Sequence, residues 1–356
     1  MSGNPAERER LEGAVWIVVL AGGVGSRFWP ISTPEQPKQL LPLVTSAPML
    51  RDTLDRVSAL APAERTLVLT NAALAAAVKQ VAPELPPENV IGEPRPAGTA
   101  AALAWAAHEI ARRDGPEAVM VSVHADAAIG DVAAFQATLV QAAGAAATEH
   151  GLVTVGIVPR FADTGLGYIE PGATVSGSLR RVTRFIEKPD LQRAEAMVAA
   201  GCLWNSGIFA WRTGDLLDEL RAHCPEVAGP LDANPASLAA FFGAVTKPIA
   251  IDVGVLERSS RVMVVRGDFD WSDVGTWAAL RSVRTADAEG NVLSGTAFLR
   301  DARNNVVHAE GPTVVLYGVD GLVVVTTNGV TLVTTVERAS DLKTLLDSLP
   351  DEVKNR

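Results

Sequence analysis

The run Trp16-Ile-Val-Val-Leu20, passing straight into Ala21-Gly22-Gly23, restricts the fold more than any other segment of the chain. A strand with one wet face alternates apolar and polar side chains, whereas a run apolar at every position is buried on both faces, as in a parallel sheet. Such a sheet needs a layer of helices on each side. Runs of the same kind recur at Thr66–Thr70, Ala118–Val123 and Leu152–Ile157. Among them lie the Ala-rich stretches Asn71–Val81, Thr99–Arg113 and Asp131–His150, which have the length and propensity of helices. Strand and helix in alternation predict an α/β core with a mixed, mainly parallel sheet.

The pattern changes after Thr285. Short Val/Thr-rich runs, Thr313–Tyr317, Leu322–Thr327 and Val330–Val336, are separated by Gly-Pro, Val-Asp-Gly and Asn-Gly turn signals. They predict a small β-rich tail that closes with a helix over Ser340–Leu349, capped by Ser340. No hexapeptide period announces a long β-helix. With 356 residues against ~150 per domain, the chain is read as a core over 14–284 and a tail over 285–356.

Lys and Arg total 31 against 41 Asp and Glu, a net charge of -10. No basic field exists to hold a nucleic acid by counterion release, so no nucleic-acid partner is expected. The polar opening Met1–Gly13 is unlike a secretion signal, and no stretch is long and apolar enough to span a bilayer, so a cytoplasmic chain without a membrane partner is expected. Cys202 and Cys224 read as free structural thiols, and the scattered histidines show no zinc spacing.

The loop after the first strand, Leu20-Ala21-Gly22-Gly23-Val24-Gly25-Ser26-Arg27-Phe28, lets main-chain amides approach a phosphate closely, with Arg27 and then Lys38 as cations. The dinucleotide fingerprint requires Gly where Phe28 stands, which excludes an NAD-dependent dehydrogenase, and the P-loop requires Ser or Thr where Gln39 follows Lys38. Taken alone, a glycine loop with two cations reads as a surface turn more often than as a site. Asp126, just past the Ala118–Val123 strand, would face the crevice at the carboxyl edge of an open α/β sheet.

The loop residues Gly22, Gly23, Gly25, Arg27 and Pro30 with Pro37-Lys38-Gln39 are followed in order by Glu93-Pro94, Ala125-Asp126, Thr164–Glu170 and Phe185–Pro189. Trp204–Phe209, Ile251-Asp252 and the run Asp270–Trp277 complete the series. Over nearly the whole chain this series resembles the sugar-1-phosphate nucleotidylyltransferases, their mannose-1-phosphate guanylyltransferase branch in particular. The resemblance implies a Rossmann-like core and transfer of GMP from GTP to α-D-mannose 1-phosphate, giving GDP-mannose and pyrophosphate.

It also implies Mg2+ carried by Asp126 and Asp273, with Arg27 and Lys38 as catalytic cations. Nucleotide contacts are implied for Leu20, Ala21, Gly22, Gly23, Gly25, Ser26, Glu93, Gly98 and Thr99, Glu93 reading guanine. Gly167, Tyr168, Glu187, Lys188 and Asn205 are implied for the sugar phosphate, and the tail for self-association into a homodimer. Longer relatives carry a fused isomerase; the chain leaves no room for one, so no isomerase activity is expected. The chain reads Ala97-Gly98-Thr99-Ala100-Ala101-Ala102 where the family pattern is Arg-Asn-Thr-Ala-Pro-Ala, and Ala127 stands where the family has His. Two alternatives stay open: the same chemistry on another nucleotide or sugar 1-phosphate, such as a manno-heptose 1-phosphate, or a catalytically silent paralogue that binds a nucleotide sugar and regulates a partner.

Overall fold

The structure, a computed structural model, describes residues 15–354 except Val24 and Asn328; Met1–Gly13 lie outside the described residues. Its chain forms two compact units. The first holds the segments up to Gly22, Thr53–Ala125 and Asp131–Trp271, and the second holds Gly23–Asp52, Asp126–Gly130 and Ser272 onward.

The apolar runs form the strands that the pattern predicts: β1 (Val15–Leu20), β2 (Thr66–Asn71), β4 (Val119–His124) and β6 (Leu152–Ile157), with β3 (Val90–Glu93) beside β2. The strand β5 (Ala128–Ile129) belongs to the second unit. The sheet is extended by β7 (Tyr168–Ser176), β8 (Leu179–Ile186), β9 (Leu203–Arg212) and β10 (Val262–Gly267), in the order β3-β2-β1-β4-β9-β6-β10-β8-β7. Only β8 and β9 run against the common direction, as their antiparallel pairings require. The sheet is mixed and mainly parallel.

Trp16, Val18 and Leu20 on one face of β1 share a core with the helix Thr99–Asp114. That helix lies against β1, β2 and β4 and is itself overlaid by the helices Thr213–His223 and Pro225–Ala233, which explains why its first half is rich in alanine: there nearly every side of it is buried at close range. The helix Val132–Glu149 packs on β4, β6, β9 and β10 and contributes nothing to that core, so it covers the opposite face. Asp131 caps it by accepting from the Ala134 amide at 2.9 Å. Among the described residues no helix is long and apolar enough to cross a membrane. Cys202 and Cys224 are buried and unbridged, and burial pushes both thiols up.

The second unit has its own core, built from Phe28, Trp29, Leu43, Trp277, Val323 and Val325 among others. Its β-rich part is a short coil of stacked rungs. β12 (Val292–Ser294), β14 (Val306–Ala309) and β16 (Leu322–Thr326) are parallel neighbours, as are β13 (Ala297–Arg300) and β15 (Val314–Tyr317), and β17 (Thr331–Thr335) closes the first sheet antiparallel to β16. Register takes Val292 to Val306 to Val323, unequal steps that hide the coil from a search for periodicity.

Two fully buried asparagines, Asn291 and Asn305, each one residue before a rung strand, stack as a ladder. Asn305 donates through Nδ2 to Asn291 Oδ1 at 2.9 Å and to the Val319 carbonyl at 3.2 Å, while its Oδ1 accepts from the Leu322 amide at 2.8 Å. The tail helix corrects one expectation: Ser340 is not its cap. A 3-10 turn at Arg338–Asp341 precedes the helix Leu342–Ser348 and carries Ser340 inside helical backbone, where its hydroxyl donates back to the Glu337 carbonyl at 3.0 Å. Replacing Asn305 with Ala strips buried partners from both neighbouring rungs and is expected to cost about 2–4 kcal/mol in urea unfolding; a loss under about 0.5 kcal/mol would show that the ladder does not hold the rungs.

Candidate functional site

The second unit gathers the cations and carboxylates. Lys38 opens the short turn Lys38–Leu40 and is 4% exposed. Its Nζ donates to Asp126 Oδ2 at 2.9 Å and to the Asp273 main-chain oxygen at 2.6 Å, and lies 5.9 Å from the centre of the Phe28 ring. The approach depends on Gly25, at φ +63°, where a Cβ would stand 2.3 Å from that of Lys38. Asp273 accepts through Oδ1 from the Gly275 amide at 3.2 Å. A Cβ on Gly275 would meet Asp273 Oδ2 at 2.6 Å and Arg27 Nη1 at 3.3 Å, so acid and guanidinium flank a position that has no room for a side chain. Between Asp273 and Gly275, Val274 is buried with φ +45°, a conformation a β-branched residue holds only when its surroundings impose it.

The first unit carries most of the remaining predicted residues, the first group of them at the carboxyl edge of the parallel strands. Leu20 ends β1 beside His124, and Ala21 donates to the Leu69 carbonyl and accepts from Thr70 Oγ1. Glu93 ends β3 with Oε1 3.9 Å from where a Cβ of Gly22 would stand, and burial pushes its carboxyl up to about 7. Gly98, at φ +86°, precedes the helix Thr99–Asp114, and a Cβ there would lie 2.2 Å from the Ile249 carbonyl oxygen. The contact is a seam: Ala100 donates to Ile249, Ile249 to Ala97, and the Ile251 amide to Thr99 Oγ1 at 2.9 Å. Gly23 is exposed, and Ser26 opens the turn Ser26–Phe28 in the second unit.

A second group in the first unit surrounds Asn205 on β9. The Asn205 amide donates to the Gly167 carbonyl at 2.8 Å, its Nδ2 donates to Asp252 Oδ1 at 2.7 Å, and its Oδ1 accepts from the Gly207 amide at 3.2 Å. A Cβ on Gly167 would collide with Glu187 Oε2 at 2.6 Å, so Gly167 gives that carboxylate its place. Lys188, at φ +43°, pairs with Glu187 at 2.8 Å. Tyr168 is wholly buried, its hydroxyl accepting from the Asp163 amide and donating to the Asp163 carbonyl, so it shapes the loop before Gly167. Burial raises Asp252, the Asn205 hydrogen bond pulls against it, and the charge of Glu187 adds to it; Glu257 is raised by burial and by the charges of Asp252 and Glu187.

Comparison with known proteins places the chain in a family. The model of the nucleotidyl transferase family matches residues 17–290. Mannose-1-phosphate guanylyltransferases from Klebsiella pneumoniae and Escherichia coli are each 37% identical over 347 residues, spanning 93% of this chain and 73% of the relative. The chain belongs to the mannose-1-phosphate guanylyltransferase family. The crystal structure described as mannose-1-phosphate geranyltransferase from Thermus thermophilus matches with a TM-score of 0.88 at 32% identity, covering 94% of this chain and 98% of that one.

Within the guanylyltransferase frame, the clearest residue that sequence reasoning left unassigned is Asp252. Its signal was the Ile251-Asp252 pair, but nothing in the pair says that the carboxylate orients Asn205. His124 is a second, its ring standing where a Cβ of Gly207, at φ +70°, would be 2.6 Å from Nε2.

Glu93 supplies a test independent of substrate. The folded chain holds its carboxyl at about 7 against an ordinary 4.5, so the associated stability is fully present below about 4.5 and lost as pH rises through 7. The melting temperature of Glu93→Gln relative to the unaltered chain is expected to climb between pH 4.5 and 7.5 and then level off; a difference independent of pH would mean that Glu93 titrates normally.

Proposed function

We propose that this chain transfers GMP from GTP to α-D-mannose 1-phosphate, releasing pyrophosphate and forming GDP-mannose. The observation that carries the reading is Lys38, a buried ammonium held between the Asp126 carboxylate and the Asp273 main chain, beside a glycine loop. Phosphoryl-type transfer asks for this: little covalent work by the protein, and groups fixed where charge develops.

A phosphate oxygen of the sugar 1-phosphate attacks the α-phosphorus in line, forming the new P–O bond as the bond to pyrophosphate breaks. The nucleophile is already an anion, so no side chain has to remove a proton. Arg27 and Lys38 neutralise charge on the departing pyrophosphate. Asp126 and Asp273 offer hard oxygens, and although no group of three or more His, Cys, Asp or Glu among the described residues is placed for a metal, two carboxylates suit Mg2+, which takes its other ligands from water and phosphate. Held there, Mg2+ would supply further neutralisation of the phosphates.

Glu93, ionised, accepts from the N1 and N2 hydrogens of guanine. Asn205 keeps one Nδ2 hydrogen beyond its bond to Asp252, and together with Glu187 it holds sugar hydroxyls, while Lys188 counters the phosphate. The alternative of other substrates draws on the Gly98–Ile249 seam, which stands where the family pattern has Arg-Asn. A homodimer formed through the tail is part of the proposal, supported by the exposed Phe298, Val315 and Tyr317 on β13 and β15 and checked by sedimentation velocity.

Pyrophosphate release with Mg2+ is expected from GTP with mannose 1-phosphate and not from UTP, dTTP or ATP, or with glucose 1-phosphate. Activity confined to another pair would keep the mechanism and change the substrate, whereas nucleotide binding without turnover by any pair would favour the regulatory paralogue. Asp273→Ala should lower kcat by about a hundredfold or more with the fold intact; full activity would remove Asp273 from the chemistry. The affinity for GTP should strengthen between pH 6 and 8 more steeply in the unaltered chain than in Glu93→Gln, and parallel profiles would exclude Glu93 from the base contact.

A further inference from the structure

Trp277 closes the Asp270–Trp277 run and has no role in the transfer as written above, yet it packs against the residues that follow Arg27 and stands shortly after Asp273 in the chain. It is fully buried. Its indole Nε1 donates to the Trp29 carbonyl at 3.1 Å, and its ring lies 5.1 Å from that of Phe28. Phe28 follows Arg27 directly and sits beneath the Lys38 ammonium.

On the other side, three residues separate Trp277 from Asp273, and they have no slack. Val274 is locked in a left-handed conformation inside the same core, Gly275 lies against the Asp273 carboxylate, and Thr276 caps the turn Trp277–Ala279 through its hydroxyl. Two supports from the tail stand behind the indole and its partner: the His308 ring of β14 is 5.4 Å from that of Trp277, and Trp29 Nε1 donates to the Lys354 carbonyl at 3.2 Å.

We propose that Trp277 is a positioning residue, a strut that fixes Arg27 and Lys38 against Asp273, and that the strand-rich tail acts on the transfer through it. The proposal rests on the nucleotidyltransferase reading of those three groups. Both properties of the indole are used. The ring fills the space against Phe28 and His308, and the N–H satisfies a carbonyl that has no access to water. A phenylalanine keeps the first and loses the second, so the loop bearing the cations gains freedom while the core stays packed. Displacing catalytic groups by fractions of an ångström lowers turnover without weakening the sugar contacts, which lie on other elements.

The test combines kinetics with hydrogen exchange on the full chain. For Trp277→Phe, kcat for pyrophosphate release should fall about tenfold or more while KM for mannose 1-phosphate stays within about twofold and the melting temperature changes little. Exchange should quicken over residues 26–40 and stay unchanged in β14 and β16. Trp29→Phe, which removes the bond to the Lys354 carbonyl, should do the same to a smaller extent and serves where Trp277→Phe does not fold. Unaltered kcat in a folded variant, or unaltered exchange over 26–40, overturns the strut. If the unaltered chain releases no pyrophosphate from any pair, the transfer reading fails while exchange still decides the strut: quickening over 26–40 upholds it and no change overturns it.

Discussion

The buried ammonium of Lys38 is the constraint around which the second unit is organised. Removing such a charge from water costs several kcal/mol unless partners replace the lost hydration. Here the partners come from two segments remote in sequence, the Asp126 carboxylate and the Asp273 carbonyl, so the lysine can be buried only where those segments meet. Gly25 follows from the same demand, because a side chain there would occupy the space of the Lys38 stem. Charge satisfaction thus holds together the loop that ends at Lys38, the Asp126 segment and the Asp273 segment.

The first unit solves a different problem, how to present polar groups from a sheet edge without letting them wander. Its answer is to tie each one to backbone or to a second side chain. Asn205 spends one donor on Asp252 and its acceptor on Gly207, Thr99 spends its hydroxyl on Ile251, and Glu187 lies against a glycine. The cost appears as the raised Asp252 and Glu93, carboxyls kept in poorly hydrated surroundings.

What could be read from the sequence follows from burial. β1, β2, β4 and β6 were legible because both faces are covered and their runs are apolar apart from a few small or terminal polar residues, whereas the β7–β8 hairpin was not, since Arg180, Arg181 and Arg184 break its pattern and its register shifts repeatedly. Asp131 announced a helix start, but Ser340 misled because a turn of 3-10 helix precedes the tail helix. The Val/Thr runs of the tail were visible, yet their coiling into rungs was not, because Asn291 and Asn305 look like ordinary turn asparagines until stacked. At the site, residue types and motif order pointed to the Lys38, Asp126 and Asp273 segments; that the lysine is the link between the two aspartates is a matter of long-range packing that no local signal encodes.

The seam between Ala97–Ala100 and Ile249–Ile251 bears on how this sequence can change. At position 98 only glycine tolerates both the backbone angle and the nearby Ile249 carbonyl, so the asparagine of the family pattern cannot enter there while the facing strap stays put. The arginine and asparagine of that pattern are therefore not one mutation away. Any lineage passing between the two forms must first withdraw the strap around Ile249, losing the anchor of Ile251 on Thr99 and with it the bearing of Asp252. Two stretches far apart in the chain are bound into a single heritable unit, and the order in which they can be altered is set by one missing Cβ.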